Sequence, residues 1–359
     1  MITELFRGPG GWAEGLRQLG LSDVGLEIDT AACDTARAAG HSTIQTDVAA
    51  YPTAPFIGRT RGLLASPPCQ AWSQAGKRRG LVDQPLVHQA VHDLAHGRDT
   101  RAELLARCQD ERSLLAAEPM RWLHDLRPEW ACLEEVPDVL PLFKQYAAVL
   151  RSWGYSVWVG VVNAANYGVP QTRRRAILIA SQARLVTAPE PTHAERPADV
   201  LFGDRLKPWV TMVDALGLEP GLRVRTRGQR RTSGGNEFSC DAPSWTLTEK
   251  ARSWWVLRQG KRRNSTVRRL DQPAATLVAG HAHRDFHWVK VDGGTDLEKR
   301  PLLLEEAAVL QSFSPGHPFR GSDSKRFLQI ANAVPPLLAA HVVATATGVP
   351  VAQPKGVAA

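Results

Sequence analysis

Ile2-Thr3-Glu4-Leu5-Phe6-Arg7-Gly8-Pro9-Gly10-Gly11 opens the chain with a short apolar run that breaks into a glycine-rich turn. Strand-type residues, then glycines, then helical spacing over Trp12–Leu19 predict a strand, a turn and a helix. Glycines at such a junction let a ligand approach the backbone, and the helix N-terminus behind them favours negative charge. The alternation continues. Asp23–Ile28 reads as a second strand, Thr30–Ala39 as an alanine-rich helix and Thr43–Val48 as a third strand. Leu63–Ala65 is a fourth strand, and a long helix over about 110–126 precedes a strand at Trp130–Leu133. Strands near 156–162 and 176–180 follow. This βαβ rhythm through residue 183 predicts an α/β protein with a doubly wound, mainly parallel sheet.

In such sheets ligands bind outside the carboxyl ends of the strands. Three strand ends carry suitable chemistry. Gly8–Gly11 follows the first. Glu27, 19 residues after Gly8, ends the second and can hold ribose hydroxyls. Asp47 ends the third and can accept from an adenine amino group. An adenosine-containing cofactor fits all three. The fourth strand runs into Ser66-Pro67-Pro68-Cys69-Gln70, where proline ends the ladder and displays Cys69 in a loop. That loop continues through Ser73 to Gly76-Lys77-Arg78-Arg79-Gly80, so a nucleophilic thiol with a basic flap beside it points to chemistry on a polyanion.

The chain has 359 residues, enough for two domains or for one large domain with an insertion. Its 43% hydrophobic and 22% charged content is ordinary for a globular protein. No apolar run long enough to span a membrane and no signal-peptide pattern is visible, so the expected location is the cytoplasm. Five cysteines, at 33, 69, 108, 132 and 240, show no Cys-x-x-Cys pair. That argues for a reducing compartment and against both a disulfide framework and structural zinc. His88, His92 and His96 share one helical face near Asp93, a spacing that can bind metal, but no second ligand cluster supports it and no metal is expected.

From about residue 186 prolines, glycines and short β-type runs replace the helices. Residues 221–284 hold 14 Lys/Arg against 4 Asp/Glu, an excess of ten, which exceeds the +8 of the whole chain. Trp245, Trp254 and Trp255 are interleaved, a composition suited to nucleic acid. Two related phrases, Ala242-Pro243-Ser244-Trp245-Thr246-Leu247 and Gln272-Pro273-Ala274-Ala275-Thr276-Leu277, each read as a turn leading into a strand. Leu302–Ser312 reads as an amphipathic helix and Ala339–Thr347 as a closing one.

Taken together these motifs resemble the bacterial and phage-type DNA (cytosine-5)-methyltransferases over nearly the whole chain, in order. Phe6-x-Gly8-x-Gly10-Gly11 looks like the family's S-adenosylmethionine loop, with Glu4 where the family has Asp. Glu27-Ile28-Asp29 and Asp47 match its ribose and adenine contacts, and Pro68-Cys69-Gln70 its catalytic loop. Glu134-Glu135-Val136 stands where the family has Glu-Asn-Val, and Gln171-Thr172-Arg173-Arg174-Arg175 fits Gln-x-Arg-x-Arg. Arg300 through Phe313, with Glu306, Ala307 and Gln311, looks like the helix joining the small domain to the catalytic one. Gln329-Ile330-Ala331-Asn332-Ala333-Val334 matches the closing motif, with Ala331 replacing a glycine.

The resemblance implies a Rossmann-like methyltransferase fold with a smaller β-rich target-recognition domain. It divides the chain into a catalytic, cofactor-binding part (1–185), a recognition part (186–299), a linking region (300–326), a return to the first domain (327–350) and a tail (351–359). It implies methylation of C5 of a specific cytosine in double-stranded DNA, by base flipping and a covalent bond from Cys69 to C6. Glu134, Arg175 and Arg173 would complete the catalytic set. Phe6, Gly8, Gly10, Gly11, Glu27, Ile28, Asp47, Pro68, Asn332 and Val334 would hold S-adenosylmethionine. Gln70, Ser73, Lys77, Arg78, Arg79, Gln171, Arg227, Arg230, Arg231, Arg262 and Arg263 would meet nucleic acid. The expected protein is a monomer, either an orphan methylase or one with a restriction endonuclease acting on the same site. Three alternatives stay open: a tRNA-acting cytosine-5 methyltransferase, a nicotinamide oxidoreductase sharing the nucleotide-binding half, and a decayed DNA-binding module.

Overall fold

The computed structural model describes residues 1–68, 72, 79–198, 205–217, 222–225, 237–239, 243–245, 247–252, 277–279, 287–292 and 295–351. It falls into two units, one made of Met1–Val161, Arg175–Glu190 and Pro336–Ala359, the other of Val162–Arg174 and Pro191–Pro335.

In chain order the first elements are β1 (Ile2–Leu5), α1 (Gly11–Gln18), β2 (Val24–Glu27), α2 (Thr30–Ala38), β3 (Ser42–Gln45) and β4 (Gly62–Ala65). Then come α3 (Arg79–Ala95), α4 (Arg101–Leu105), α5 (Glu118–Leu126), β5 (Trp130–Glu135), α6 (Leu140–Ser152), β6 (Ser156–Asn163), β7 (Gln171–Thr172) and β8 (Arg174–Ser181). Seven strands form one sheet in the order β3-β2-β1-β4-β5-β8-β6. Neighbours from β3 to β5 are parallel, and β8 runs antiparallel to β5. The chain order reverses direction between β1 and β4, which opens a crevice at their carboxyl ends.

Strands β1, β4 and β5 are buried along their whole length, as expected for a sheet covered on both faces. On one face Leu5, Leu63, Ala65, Leu133 and Leu178 join a core with Val87, Met120, Trp122, Phe143 and Tyr146 of the helices. Toward the other face α1 lies against α10 (Pro336–Thr347): a Cβ on Gly15 would come within 2.6 Å of the Ala339 Cβ. Glycine is required there for close approach.

Four local expectations need correction. The third strand ends at Gln45, so Asp47 lies in the following turn. The single helix expected over 110–126 is a 3-10 stretch, Glu111–Ala117, followed by α5. Pro119 lacks an N–H to continue a ladder but suits a helix's first turn, so α5 starts afresh there. The closing helix likewise begins at Pro336 rather than Ala339. The helix expected over Leu302–Ser312 is confined to Leu304–Leu310.

The second unit continues with β9 (His193–Ala194), β10 (Lys207–Pro208), α7 (Met212–Leu216), β11 (Leu222–Arg225), β12 (Glu237–Ser239), β13 (Ser244–Trp245), β14 (Leu247–Arg252), β15 (Leu277–Ala279), β16 (His287–Asp292) and β17 (Thr295–Pro301). Helices α8 (Leu304–Leu310) and α9 (Asp323–Asn332) follow. Strands β12-β11-β16-β17 make an antiparallel sheet, while β9–β10, β7–β13 and β14–β15 are parallel pairs. Both related phrases lead into strands as expected, and their leucines pair across β14–β15, Leu247 with Leu277. A separate core of Met212, Leu302, Leu310, Phe313, Phe327 and Ile330 holds the helices of this unit.

Candidate active site

The loop after β1 is a left-handed turn. Phe6, Gly8 and Gly10 have φ of 56°, 59° and 98°. Gly10 precedes α1 with no side-chain cap, so the helix's first N–H groups keep their capacity for an acceptor. Glu27, at the end of β2, accepts from the N–H of Gly8 at 2.7 Å, Ile28 at 2.9 Å and Asp29 at 2.8 Å. Burial pushes its carboxyl above the ordinary range, against these three bonds. Ile28 is apolar yet 65% exposed beside it. Asp47 is exposed and its Oδ1 accepts from Ala49 N–H at 2.9 Å. A turn open to backbone approach, a carboxylate and an exposed aliphatic surface at adjacent strand ends suit an adenosine-bearing cofactor.

Next to β1, strand β4 leads into Ser66, Pro67 and Pro68; the Trp12 indole N–H donates to Ser66 Oγ at 2.8 Å and fixes this exit against α1. Cys69, Gln70, Ser73, Lys77 and Arg78 lie outside the described residues, and Arg79 is the first residue of α3. The three described thiols are poor nucleophiles: burial raises Cys33 to about 11 and pushes Cys108 and Cys132 up as well.

Beside β4, β5 ends in Glu134 and Glu135. An antiparallel strand begins at the edge where its parallel neighbours end, so β8 brings Arg175 to this same edge. Its Nε pairs with Glu134 Oε1 at 2.9 Å, with both side chains more than nine-tenths buried. Glu135 projects to the opposite face of β5, as strand alternation requires. Its Oε2 accepts from Val136 N–H, and burial pushes its carboxyl well above the ordinary range, with Glu134 adding to the effect.

Besides Arg175, two more residues of the Gln-x-Arg-x-Arg phrase point inward. Gln171 is fully buried, donating its amide to Gln311 Oε1 at 2.7 Å, while Gln311 donates to the Ala333 carbonyl at 2.6 Å. Arg173, also buried, donates to the Ala331 carbonyl at 2.9 Å. Gln171, expected at nucleic acid, and Arg173, expected among the catalytic groups, thus brace the second unit. A run of Gln and Arg carries no signal in sequence that separates buried braces from exposed contacts. Ala331 sits within helix α9 and its side chain packs in the core, so no glycine is needed there. Asn332 ends α9, and Val334 is buried in the turn before α10. Arg227, Arg230, Arg231, Arg262 and Arg263 lie outside the described residues.

The three histidines expected on one helical face, two in α3 and His96 just past its end, are engaged locally. His88 contacts Gln145, His92 contacts Asp93, and His96 donates to the His92 carbonyl. The one stretch among the described residues with the length and apolarity of a membrane span, Asp323–Thr347, has its apolar 18-residue window 72% buried inside the protein.

The C-5 cytosine-specific DNA methylase family matches residues 1–88 and 104–347. The chain belongs to that family and is a DNA (cytosine-5)-methyltransferase; the family uses S-adenosylmethionine as methyl donor. Among curated relatives, the type II methyltransferase M1.HphI of Haemophilus parahaemolyticus is 26% identical over 370 residues, covering 94% of this chain and 83% of the relative. M.Eco47II of Escherichia coli is 27% identical over 355 residues, covering 93% and 75%. Among solved structures, S. pombe Dnmt2 matches with a TM-score of 0.56 at 12% identity, covering 96% of each chain. Entamoeba histolytica EhMeth matches at 0.56 with 11% identity, covering 97% of each. At these identities the two structures speak for the fold.

Proposed function

We propose that the chain methylates C5 of one cytosine within a short duplex DNA sequence, as a methyltransferase of the restriction–modification kind to which its type II relatives belong. The observation that carries this reading is the buried Glu134–Arg175 pair at the end of β5, beside the strand that leads into Pro67-Pro68-Cys69. Cytosine C5 is a weak nucleophile until a thiolate adds at C6. Cys69 forms that S–C6 bond, and the displaced π electrons move onto the ring. Glu134 donates a proton to N3 as negative charge develops there. Arg175 holds the Glu134 carboxyl in place and reaches the cytosine O2. After C5 is substituted, loss of its proton to solvent and return of the electron pair expel the Cys69 thiolate, and N3 gives its proton back to Glu134.

Gly8, Gly10, Gly11, Phe6, Glu27, Ile28, Asp47 and Pro68, with Asn332 and Val334, would hold S-adenosylmethionine. That group supplies an electrophilic sulfonium methyl. A stacked base cannot enter such a site, so the cytosine is rotated out of the duplex, at a few kcal/mol. Residues 1–185 carry the chemistry, and 186–299, which hold the concentrated positive charge, carry target recognition. A tRNA substrate is the second reading; the basic insertion favours duplex DNA over it. Bisulfite sequencing of DNA from cells expressing the protein tests the reading. One modified cytosine within one recurring sequence is expected, and Cys69→Ser should erase it. Unmodified DNA alongside methylated tRNA would overturn the choice of substrate.

A further inference from the structure

Arg7 lies inside the glycine turn but turns its side chain away from solvent. The residue is 2% exposed, and its Nη2 lies 2.7 Å from Asp23 Oδ2 and 3.4 Å from Glu4 Oε2. Space for the guanidinium exists because Gly25, paired with Glu4 across β1–β2, has no side chain. A Cβ on Gly25 would stand 1.5 Å from Arg7 Nε and 2.3 Å from its Cζ. The main chain of Arg7 is tied as well, its N–H donating to the Leu26 carbonyl at 3.0 Å. Both ends of this residue are therefore anchored to β2 or to the residue just before it. Its immediate neighbours, Phe6 and Gly8, are both left-handed. A non-glycine residue such as Phe6 holds that conformation only when its surroundings enforce it.

We propose that Arg7, paired with Asp23 in the slot left by Gly25, is a positioning residue that keeps the Phe6–Gly10 turn in its cofactor-receiving shape before S-adenosylmethionine arrives. The inference rests on the reading of this turn as the cofactor loop. The cluster has two acids for one base. Burial pushes the Glu4 carboxyl well above the ordinary range, with Asp23 pushing the same way and Arg7 opposing. For Arg7, burial works against the charge, but Glu4 and Asp23 more than offset it. Arg7 therefore sits between two buried acids, with the Asp23 carboxylate oxygen the nearer at 2.7 Å. Among the described residues no nitrogen of the Arg7 guanidinium has a well-directed hydrogen-bond acceptor, so the charge of Asp23 and the shape of the slot determine where the guanidinium sits.

The test measures S-adenosylmethionine affinity by calorimetry, together with KM for S-adenosylmethionine, KM for DNA, kcat at saturating cofactor, and melting temperature. Asp23→Asn and Gly25→Ala should each raise the cofactor Kd and KM on the order of tenfold, with KM for DNA and saturated kcat within about twofold. Glu4→Gln should weaken binding far less than Asp23→Asn, because its carboxyl lies farther from the guanidinium, at 3.4 Å against 2.7 Å. Removing one partner of a buried pair can unfold a protein, whereas replacing both with apolar residues is tolerated. The double variant Arg7→Met with Asp23→Leu should therefore melt near wild type yet still bind S-adenosylmethionine weakly. If that variant is both stable and tight-binding, Arg7 is only a packing element and the inference fails. It fails equally if Glu4→Gln weakens binding as much as Asp23→Asn. A wild-type protein that binds no S-adenosylmethionine would instead overturn the cofactor reading itself.

Discussion

Glu134 and Glu135 are adjacent carboxylates with opposite fates. Alternation along β5 turns Glu134 to Arg175 and buries Glu135 on the other face, where its Oε2 accepts from the Val136 N–H. Glu134→Gln should reduce kcat on the order of 10²-fold, the scale of a lost general acid, while Glu135→Gln should cost far less. The reverse order would mean that the strand end is aligned one residue out. Glu135 has a second, thermodynamic signature. Its native carboxyl keeps a proton that the unfolded chain releases above its ordinary value of 4.5. Its contribution to stability is therefore complete below that pH and declines as pH rises toward the raised value. Urea unfolding between pH 5 and about 8 should show a shallower loss of stability for Glu135→Gln than for wild type; parallel curves would contradict a neutral Glu135. Glu27 and the glycine turn were legible in sequence because each is a local pattern at a strand end, and Glu134 through its resemblance to the family's Glu-Asn-Val. The Glu4–Arg7–Asp23 cluster was not, since nothing local says that Gly25 leaves room for a guanidinium from the turn after β1.

At the scale of elements, strand and helix identities followed from apolar spacing, and errors gathered at prolines. Pro119 and Pro336 fit the first turn of a helix, so each marks a start that periodicity alone misplaces. Sheet order was only partly legible: the βαβ rhythm implies parallel neighbours, but the antiparallel entry of β8 that delivers Arg175 to Glu134 depends on non-local pairing. Close packing of α1 on α10 was equally hidden. An added Cβ at Gly15 would lie 2.9 Å from both the Ala340 nitrogen and the Pro336 carbonyl oxygen, which are backbone atoms with little freedom to withdraw. Gly15→Ala should destabilise the protein by about 1–3 kcal/mol, the usual range for overpacking, read as a lower urea midpoint at unchanged slope. An unchanged midpoint would mean that the two helices part without penalty.

For the whole molecule, charge and chemistry occupy different stretches of chain. The cationic excess falls within 221–284, whereas Glu134, Arg175 and the strand leading to Cys69 belong to the βαβ part. Exchanging 186–299 for the same segment of another family member should transfer that member's target sequence. A graft that methylates well but keeps the original site would move recognition elsewhere, to the basic stretch after Cys69. Neutralising one phosphate-contacting arginine in the segment should weaken binding to all sequences alike and lower the salt slope by about one.

The central claim is a covalent bond between Cys69 and cytosine C6, and one measurement addresses it directly. Duplex DNA carrying 5-fluorocytosine at the target position is incubated with enzyme and S-adenosylmethionine, denatured, and the protein digested for mass spectrometry. Fluorine at C5 cannot leave as a proton, so the adduct should persist through denaturation, with the modified nucleotide on the peptide containing Cys69. No trapped complex from enzyme that methylates ordinary DNA, or an adduct on any other cysteine, would contradict the account.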